Sequence, residues 1–323
     1  MNDVEKHDLI AAYDQFAEWF QMIDSVYYKP EQTEKLTHFM RKLKHDIYSI
    51  LDCACGIGSV AIYLAKNGFM VSCSDASERM LMHTKRNAES AGASAVRFYK
   101  SDWRNLDENV VGKFDCIINL GVSIYHLDGA DLLAALRNMK AKLNPGGLLI
   151  LDNKNWQEVL RVNEGKQELR LIEKRQIVRV FNGGRPLPLN EDQKYYFFDI
   201  AWSEGRQWIM KVVRLPAREV HELLSKRSIA FLNIDNQPIS IKIRNGIFTA
   251  KYCHNRPGTP FDNLPHESIP ISGWPVSSSN LAELIEQIGF ENIKILDKYK
   301  ELYEDNDHPQ MGLYDLIIAF NPR

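Results

Sequence analysis

The sequence predicts an α/β fold: a mostly parallel sheet covered by helices on both faces, interrupted by an antiparallel β-rich insertion. Three observations predict it. From Ile47 onward, short β-branched runs alternate with longer amphipathic ones at the spacing of βαβ units. After Lys154 the alternation stops, and strand-like runs follow one another with turn-rich segments between them. Near Ser278 the alternation resumes and closes on two further strand-like runs.

In chain order, "HDLIAAYDQFAEWFQMI" and "EQTEKLTHFMRKLKH" read as helices ahead of the first strand. "IYSILDCA" is strand one and runs into a glycine turn; "SVAIYLAKNG" is a short helix closed by glycine. "FMVSCSD" is strand two. "SERMLMHTKRNAESAG" is a helix capped by Ser77 and stopped at Gly92. "AVRFYKSD" and "KFDCIINLG" are strands three and four, "GADLLAALRNMKAKL" a helix ended by "NPGG", and "LLILDNK" strand five. "LRLIEKRQIVRVF", "QKYYFFDIAW", "RQWIMKVVRL" and "ISIKIRNGIFTAKY" then suit antiparallel hairpins, with a helix at "AREVHELLSKRS". The helix "SSNLAELIEQIGF" and the strands "ENIKILDKY" and "GLYDLIIAF" complete the sheet. The expected organisation is a helical cap over residues 1–46, a sheet domain over 47–154 and 278–323, and a β-rich lid over 155–277.

Composition narrows the function classes. Hydrophobic residues make up 45% of the chain, enough for a sizeable core, and 40 basic against 42 acidic side chains leave a formal charge of -2. No basic field exists to attract nucleic acid or an anionic membrane, so neither is expected as a partner. The charged beginning and the lack of a long apolar run predict a soluble, cytoplasmic protein. The five cysteines are odd in number, and most sit in apolar strand-like runs as small core side chains. Cys53 and Cys55 form a C-x-C pair, tighter than zinc or thioredoxin-type spacings and without a second pair, so no metal site is expected.

Ligands of an open parallel sheet bind beyond the C-terminal ends of its strands. Strand one ends at Asp52 and "CACGIG" follows, where Gly56 and Gly58 allow a tight turn that brings backbone amides near a ligand. Cys53 and Cys55 read there as small side chains that let the backbone pass close to a cofactor. Asp75 at the end of strand two can accept hydrogen bonds from a ribose diol. Asp102 and Trp103 after strand three offer a polar group and a flat apolar face suited to adenine. Position 61 is Ala61 rather than a third glycine, and no G-K-[ST] occurs, which excludes a P-loop.

Asp-x-x-x-Gly-x-Gly after a strand, a strand-terminal acid, and Asp-Trp after a third strand together resemble class I, Rossmann-like S-adenosylmethionine-dependent methyltransferases. "LDCACGIGSVAIYLAKNGFMVSCSDASERML", "FDCIINLGVSIYHL" and "LNPGGLLILDNKNW" look like segments of glycine N-methyltransferase and its small-molecule relatives. The resemblance is good over residues 45–156 and topological afterwards. It implies S-adenosyl-L-methionine as cofactor, with Asp52, Gly56 and Gly58 around its methionine moiety and Asp75 on its ribose. It further implies Ala76 and Met80 beside the adenine, Asp102 at the adenine amino group next to Trp103, and the backbone of Leu120 and Gly121 near the sulfonium. Tyr13 and Trp19 would close over the sulfonium, where their rings can stabilise positive charge, although both also suit ordinary core packing. A homodimer or homotetramer is implied in the same way.

Departures from the family pattern bear on the methyl acceptor. Leu-Gly-Asn-Ser becomes Leu-Gly-Val-Ser, which puts Val122 where a substrate-contacting amide is expected. The arginine that grips the glycine carboxylate corresponds to Lys154, which can pair with an anion but lacks a bidentate fork. His126 is kept and suits proton handling or orientation, or equally packing behind strand four. Tyr195 and Tyr196 are neighbours in an alternating strand, so only one can face a cleft, and Tyr196 is the candidate; Ile200 stands where the family has a substrate tyrosine. The expectation is N-methylation of a small-molecule amine or amino acid larger than glycine. A small-molecule O-methyltransferase or a non-catalytic cofactor-binding protein shares the same cofactor half.

Overall fold

The computed structural model describes residues 9–15, 17–18, 20–21, 30–156, 158, 175–181, 187–188, 195–204, 207–234, 237–244, 247–253, 260–303 and 312–323. They fall into two compact units, residues 1–161 with 274–323, and residues 162–273.

The first unit is built on a seven-stranded sheet. In chain order its strands are β1 (Ser49–Asp52), β2 (Met70–Asp75), β3 (Arg97–Lys100), β4 (Phe114–Asn119), β5 (Leu143–Lys154), β14 (Glu291–Asp297) and β15 (Tyr314–Phe320). They lie side by side as β14-β15-β5-β4-β1-β2-β3. All pairings from β3 to β5 are parallel, while β15 is antiparallel to both β5 and β14. Helices Ser59–Lys66, Glu78–Ser90 and Gly129–Lys142 make the crossovers. Two elements depart from the sequence reading, β5 being longer and β14 shorter than expected. "NPGG" lies within β5 rather than ahead of it, where the register against β4 slips between Phe114 and Cys116. A short helix, Lys298–Tyr303, follows β14.

Burial on both faces explains why the central strands read as unbroken apolar runs. Ile50, Cys116, Ile118, Leu148, Ile150, Leu316 and Ile318 enter one core with the helices Pro30–Leu43 and Ser59–Lys66. Their neighbours Leu51, Ile117, Leu149, Leu151, Ile317 and Ala319 enter a second core with the helices Gly129–Lys142 and Ser278–Gln287. The two-residue period of a strand thus divides "LLIL" and "LIIA" between two cores. From β1 the chain winds one way through β2 to β3 and then returns to β4 and β5 on the other side. The crossover loops diverge at that switch, leaving a crevice over the C-terminal ends.

The second unit holds two four-stranded antiparallel sheets. One has the order β10-β11-β12-β7, from Ala230–Ile234, Gln237–Arg244, Ile247–Tyr252 and Leu187–Pro188; the other has β13-β9-β8-β6, from Glu267–Gly273, Gln207–Pro216, Tyr195–Glu204 and Arg175–Phe181. Helix Ala217–Lys226 packs Ala217 and Val220 into a core with Tyr196, Phe198, Ile200 and Phe248. The antiparallel, β-rich character of the insertion after β5 is as expected. "ISIKIRNGIFTAKY" divides into β11 and β12, and β10 and β13 are strands that alternation had not marked. Among the described residues, no helix is long and apolar enough to cross a membrane.

At the N-terminal edge of the first sheet, one carboxylate ties three strands together. Asp115 Oδ2 accepts hydrogen bonds from the backbone N–H groups of Tyr48 and Ser49 and from the Ser49 hydroxyl, each at 3.0 Å, and Oδ1 accepts from Asn144 Nδ2 at 2.8 Å. Partial burial acts to raise its pKa, but the donors from Ser49, Asn144 and Tyr48 win and hold it below the usual carboxylate value. A depressed acid stabilises the fold above its unfolded pKa, and that contribution is lost as the pH falls through the folded value. Asp115→Ala is therefore expected to lower unfolding stability by about 2 kcal/mol at pH 7. The deficit should shrink toward pH 3, and denaturant melts at the two pH values provide the check; an equal loss at both would refute the charge-based account.

Candidate functional site

The crevice contains a cavity of about 200 Å³, walled by the loops after β1, β2, β3 and β4 and by the helical residues near the N-terminus. Each wall follows from a local feature of the sequence. After β1, Gly56 and Gly58 both take positive φ, 53° and 89°. They do so for different reasons. A Cβ on Gly56 would meet nothing within 4 Å, so this backbone is bare toward the cavity. A Cβ on Gly58 would come within 2.4 Å of Thr84 Cγ2, so Gly58 is there to let the turn pack on helix Glu78–Ser90.

Asp75, at the end of β2, holds the turn from the other side. Its Oδ2 accepts from Gly56 N–H and its Oδ1 from Ser77 N–H, both at 2.9 Å. Ser77 caps the following helix, accepting from Met80 N–H at 3.1 Å, as the sequence suggests. The Ser77 hydroxyl donates in turn to Asp14 at 2.6 Å, which fastens the N-terminal helical residues beside the cavity. Burial pushes the Asp75 carboxyl up to about 6 despite the Ser77 and Gly56 amides that act to lower it. Asp52 is more deeply buried, accepts a 3.3 Å bond from Ala54 N–H in this turn, and is pushed by burial to about 7.

After β3, Asp102 caps a single 3₁₀ turn and is gripped by Arg104, whose Nε and Nη2 donate to its two oxygens at 2.7 and 2.5 Å. Arg104 Nη1 also lies 3.6 Å from Asp131. Trp103 donates its indole N–H to the Cys53 carbonyl, which pins the ring against the glycine turn. After β4, Leu120, Gly121 and Ser123 face the cavity, and the turn Ser123–His126 carries a histidine with 2% exposure. His126 Nε2 and Tyr13 Oη share a 2.6 Å hydrogen bond, and the Tyr13 ring stacks on Phe20. Burial, with the nearby Tyr125 and Asp75, holds the Tyr13 phenol well above its ordinary pKa.

The structure brings Tyr13, Cys53, Gly56, Asp75, Ala76, Met80, Asp102, Trp103, Leu120, Gly121 and His126 to this one cavity. It places others elsewhere. Asp52 and Gly58 stand behind the turn rather than in the cavity wall, the first buried under it and the second against Thr84. Lys154 ends β5 with its ammonium 5.1 Å from the centre of the Trp156 ring and does not line the cavity, because a cation–π contact holds it. Tyr196 is a core residue of the second unit: it is 1% exposed, stacks on Phe248 and bonds His221 Nε2 at 2.7 Å, so it is corrected from substrate contact to packing. Trp19 lies outside the described residues.

Sequence reasoning missed Arg104, Asp14 and Asp152. Arg104 carried a signal, since a cation two residues past a capping acid can fold back onto it. Asp14 carried none, because its partner Ser77 is 63 residues away.

The chemistry of the donor set fits an adenosyl sulfonium ligand. A bare glycine backbone that admits close approach, the half-buried Asp75 carboxylate and a fixed indole suit the ligand's chain, its ribose diol and its aromatic base respectively. Comparison with known proteins agrees. Residues 50–147 match the family model of the methyltransferase domain. A glycine/sarcosine N-methyltransferase of Parasynechococcus marenigrum (strain WH8102) is 39% identical over 134 residues, 40% of this chain and 47% of that protein. A glycine N-methyltransferase of Rattus norvegicus is 35% identical over 129 residues, 36% of this chain and 44% of that one. The chain thus matches less than half the length of these relatives. An S-adenosylmethionine-dependent methyltransferase from Clostridium acetobutylicum superposes with a TM-score of 0.58 over 96% of this chain and 99% of that one at 14% identity, a likeness of fold.

The raised acids give a pH prediction. A carboxyl with a folded pKa of about 6 or 7 binds a proton in the folded state that the unfolded chain has released, so Asp75 and Asp52 make the ligand-free protein more stable as the pH falls from 8 toward 5. A ligand hydroxyl or cation needs the ionised form, so affinity moves oppositely. Calorimetry with S-adenosylhomocysteine should show binding weakening about tenfold between pH 7.5 and pH 5, following the ionised fraction of Asp75. Asp75→Asn should bind weakly at both and flatten the profile; a pH-independent wild type would remove Asp75 from the binding step.

Proposed function

We propose, from the premise that residues 50–147 are a class I S-adenosylmethionine-dependent methyltransferase domain, that this chain methylates the nitrogen of a small amine or amino acid larger than glycine. The observation that carries the reading is the hydrogen-bonded pair of half-buried Tyr13 and buried His126 in the wall of the same cavity as Gly56, Asp75 and Trp103. A cofactor pocket alone would need neither a histidine nor a phenol at that place.

S-adenosylmethionine supplies, when bound, a methyl carbon on a positively charged sulfur. The chain's own groups then have separate tasks. Asp75 as carboxylate takes ribose hydroxyls, and Trp103 offers its face to the base. Tyr13 keeps its phenolic proton because burial disfavours the phenolate, so it donates to His126 Nε2 and fixes the imidazole tautomer. With Nε2 taken, the Tyr13 oxygen still offers a lone pair that can accept an N–H of the methyl acceptor and leave the amine lone pair free. In-line displacement draws most of its rate from such placement in a site that excludes water.

Nitrogen is supported as acceptor by the relatives, whose names describe glycine and sarcosine N-methylation in those proteins. A bulkier acceptor is supported by Val122 and by Lys154, neither of which offers the side chain expected for gripping glycine. The domain match ends at residue 147, before the β-rich insertion begins.

Incubating the chain with S-adenosylmethionine and a panel of glycine, sarcosine, larger amino acids, other amines and phenols, with products read by mass spectrometry, tests the proposal. An N-methylated larger amine is the expected product. Efficient glycine turnover would refute the size argument, and methylation on oxygen alone would refute the acceptor class. His126→Ala and Tyr13→Phe should each lower kcat/KM tenfold to a hundredfold with cofactor affinity changed far less; unchanged turnover in both would leave the pair a packing contact.

A further inference from the structure

Asp152 belongs to none of the roles above, yet it is the most enclosed charged group near the site. It lies in β5, with 0% exposure. Its backbone is already placed by the sheet, opposite Leu316 of β15. Its carboxylate does something else. Oδ1 accepts from Val122 N–H at 2.6 Å, Oδ2 accepts from Gly121 N–H at 3.2 Å, and Lys298 Nζ donates to Oδ2 at 2.5 Å.

Those two amides belong to the turn that presents Leu120, Gly121 and Ser123 to the cavity and leads into His126. The turn is not relaxed. Val122 has φ 61°, a left-handed conformation that a β-branched residue rarely adopts and that must be held by its surroundings. Asp152 holds it from behind. Burying a carboxylate against a half-buried ammonium is unfavourable beside an apolar side chain of the same size, so the pair does not explain itself as a contribution to stability.

We propose that Asp152, locked by Lys298, is a positioning residue: it fixes the 120–122 turn and, through it, the placement of His126 against Tyr13. This rests on the methyltransferase reading for its consequence, though not for its geometry. Asp152→Asn is the informative change. A carboxamide has one acceptor oxygen and a donor nitrogen, so whichever way it turns, the geometry that served Gly121 and Val122 together is lost.

The test compares wild type, Asp152→Asn, Lys298→Met and Lys298→Arg. Three readouts apply: S-adenosylhomocysteine affinity by calorimetry, amide hydrogen exchange at residues 121 and 122, and the His126 ring resonances. Asp152→Asn should weaken binding about tenfold, speed exchange at both amides and shift the His126 ring signals. Lys298→Met should do the same in smaller degree, while Lys298→Arg restores wild-type behaviour. Should Asp152→Asn fail to fold, the lysine pair and the slow exchange expected at the two wild-type amides carry the decision. Wild-type affinity, exchange and His126 signals in the folded variants would overturn the positioning role alone. A wild type that binds no S-adenosylhomocysteine would overturn the functional reading, and with it the role in that site, whatever the exchange data show.

Discussion

Carboxylates that take backbone N–H groups are the interaction on which the site depends. Asp75 receives Gly56 and Ser77; Asp152 receives Gly121 and Val122. Each acid sits at or near the C-terminal end of one strand and holds the loop that leaves a neighbouring strand. Loops of this kind have few apolar contacts of their own, and a charged acceptor is the strongest way to fix a backbone amide. The cavity keeps its shape because its walls are tied to the sheet rather than to each other.

That arrangement has an electrostatic consequence. At Asp75 and Asp52 desolvation outweighs the amides that favour ionisation, leaving both acids above their ordinary values. For Asp52 a pKa near 7 corresponds to roughly 4 kcal/mol against the charged form, by the usual conversion of pKa into free energy. A cationic or hydroxyl-bearing ligand would relieve such a penalty. Asp115 at the opposite edge has more donors and less burial, and its pKa moves the other way. The same residue type is therefore held below its ordinary pKa at one end of the sheet and above it at the other.

The two units solve burial differently. In the first, each central strand feeds two cores, so its apolar runs are continuous and helices must cover both faces. In the second, Tyr196, Phe198 and Ile200 alternate into a single core shared with Phe248 and helix Ala217–Lys226. The rule of alternation applies to both, yet it decided different things. It identified the strands of the first unit closely, whereas in the second it could not say which face of "YYFFDI" looked inward. Tyr196 is the instance: a polar-tipped aromatic in an alternating strand suits a cleft or a core, and His221, at the surface, supplies the partner its hydroxyl needs.

By itself the sequence determined the parallel sheet, the β-rich insertion and the strand-end residues Gly56, Asp75, Asp102, Trp103 and Gly121, because periodicity and turn chemistry are local. Ser77 as a cap belongs with them, since its partner is three residues away. Only the tertiary structure decided that Tyr13 meets His126 across 113 residues, that Arg104 occupies Asp102, and that Asp152 and Lys298 support a loop neither adjoins in sequence. It also decided which of the two glycines faces the cavity, a distinction made by Thr84 standing 2.4 Å from where a Cβ on Gly58 would lie. Spacing along the chain fixes hydrogen bonds within a turn; contacts between strand ends depend on the order in which the sheet assembles, and no local pattern carries that order.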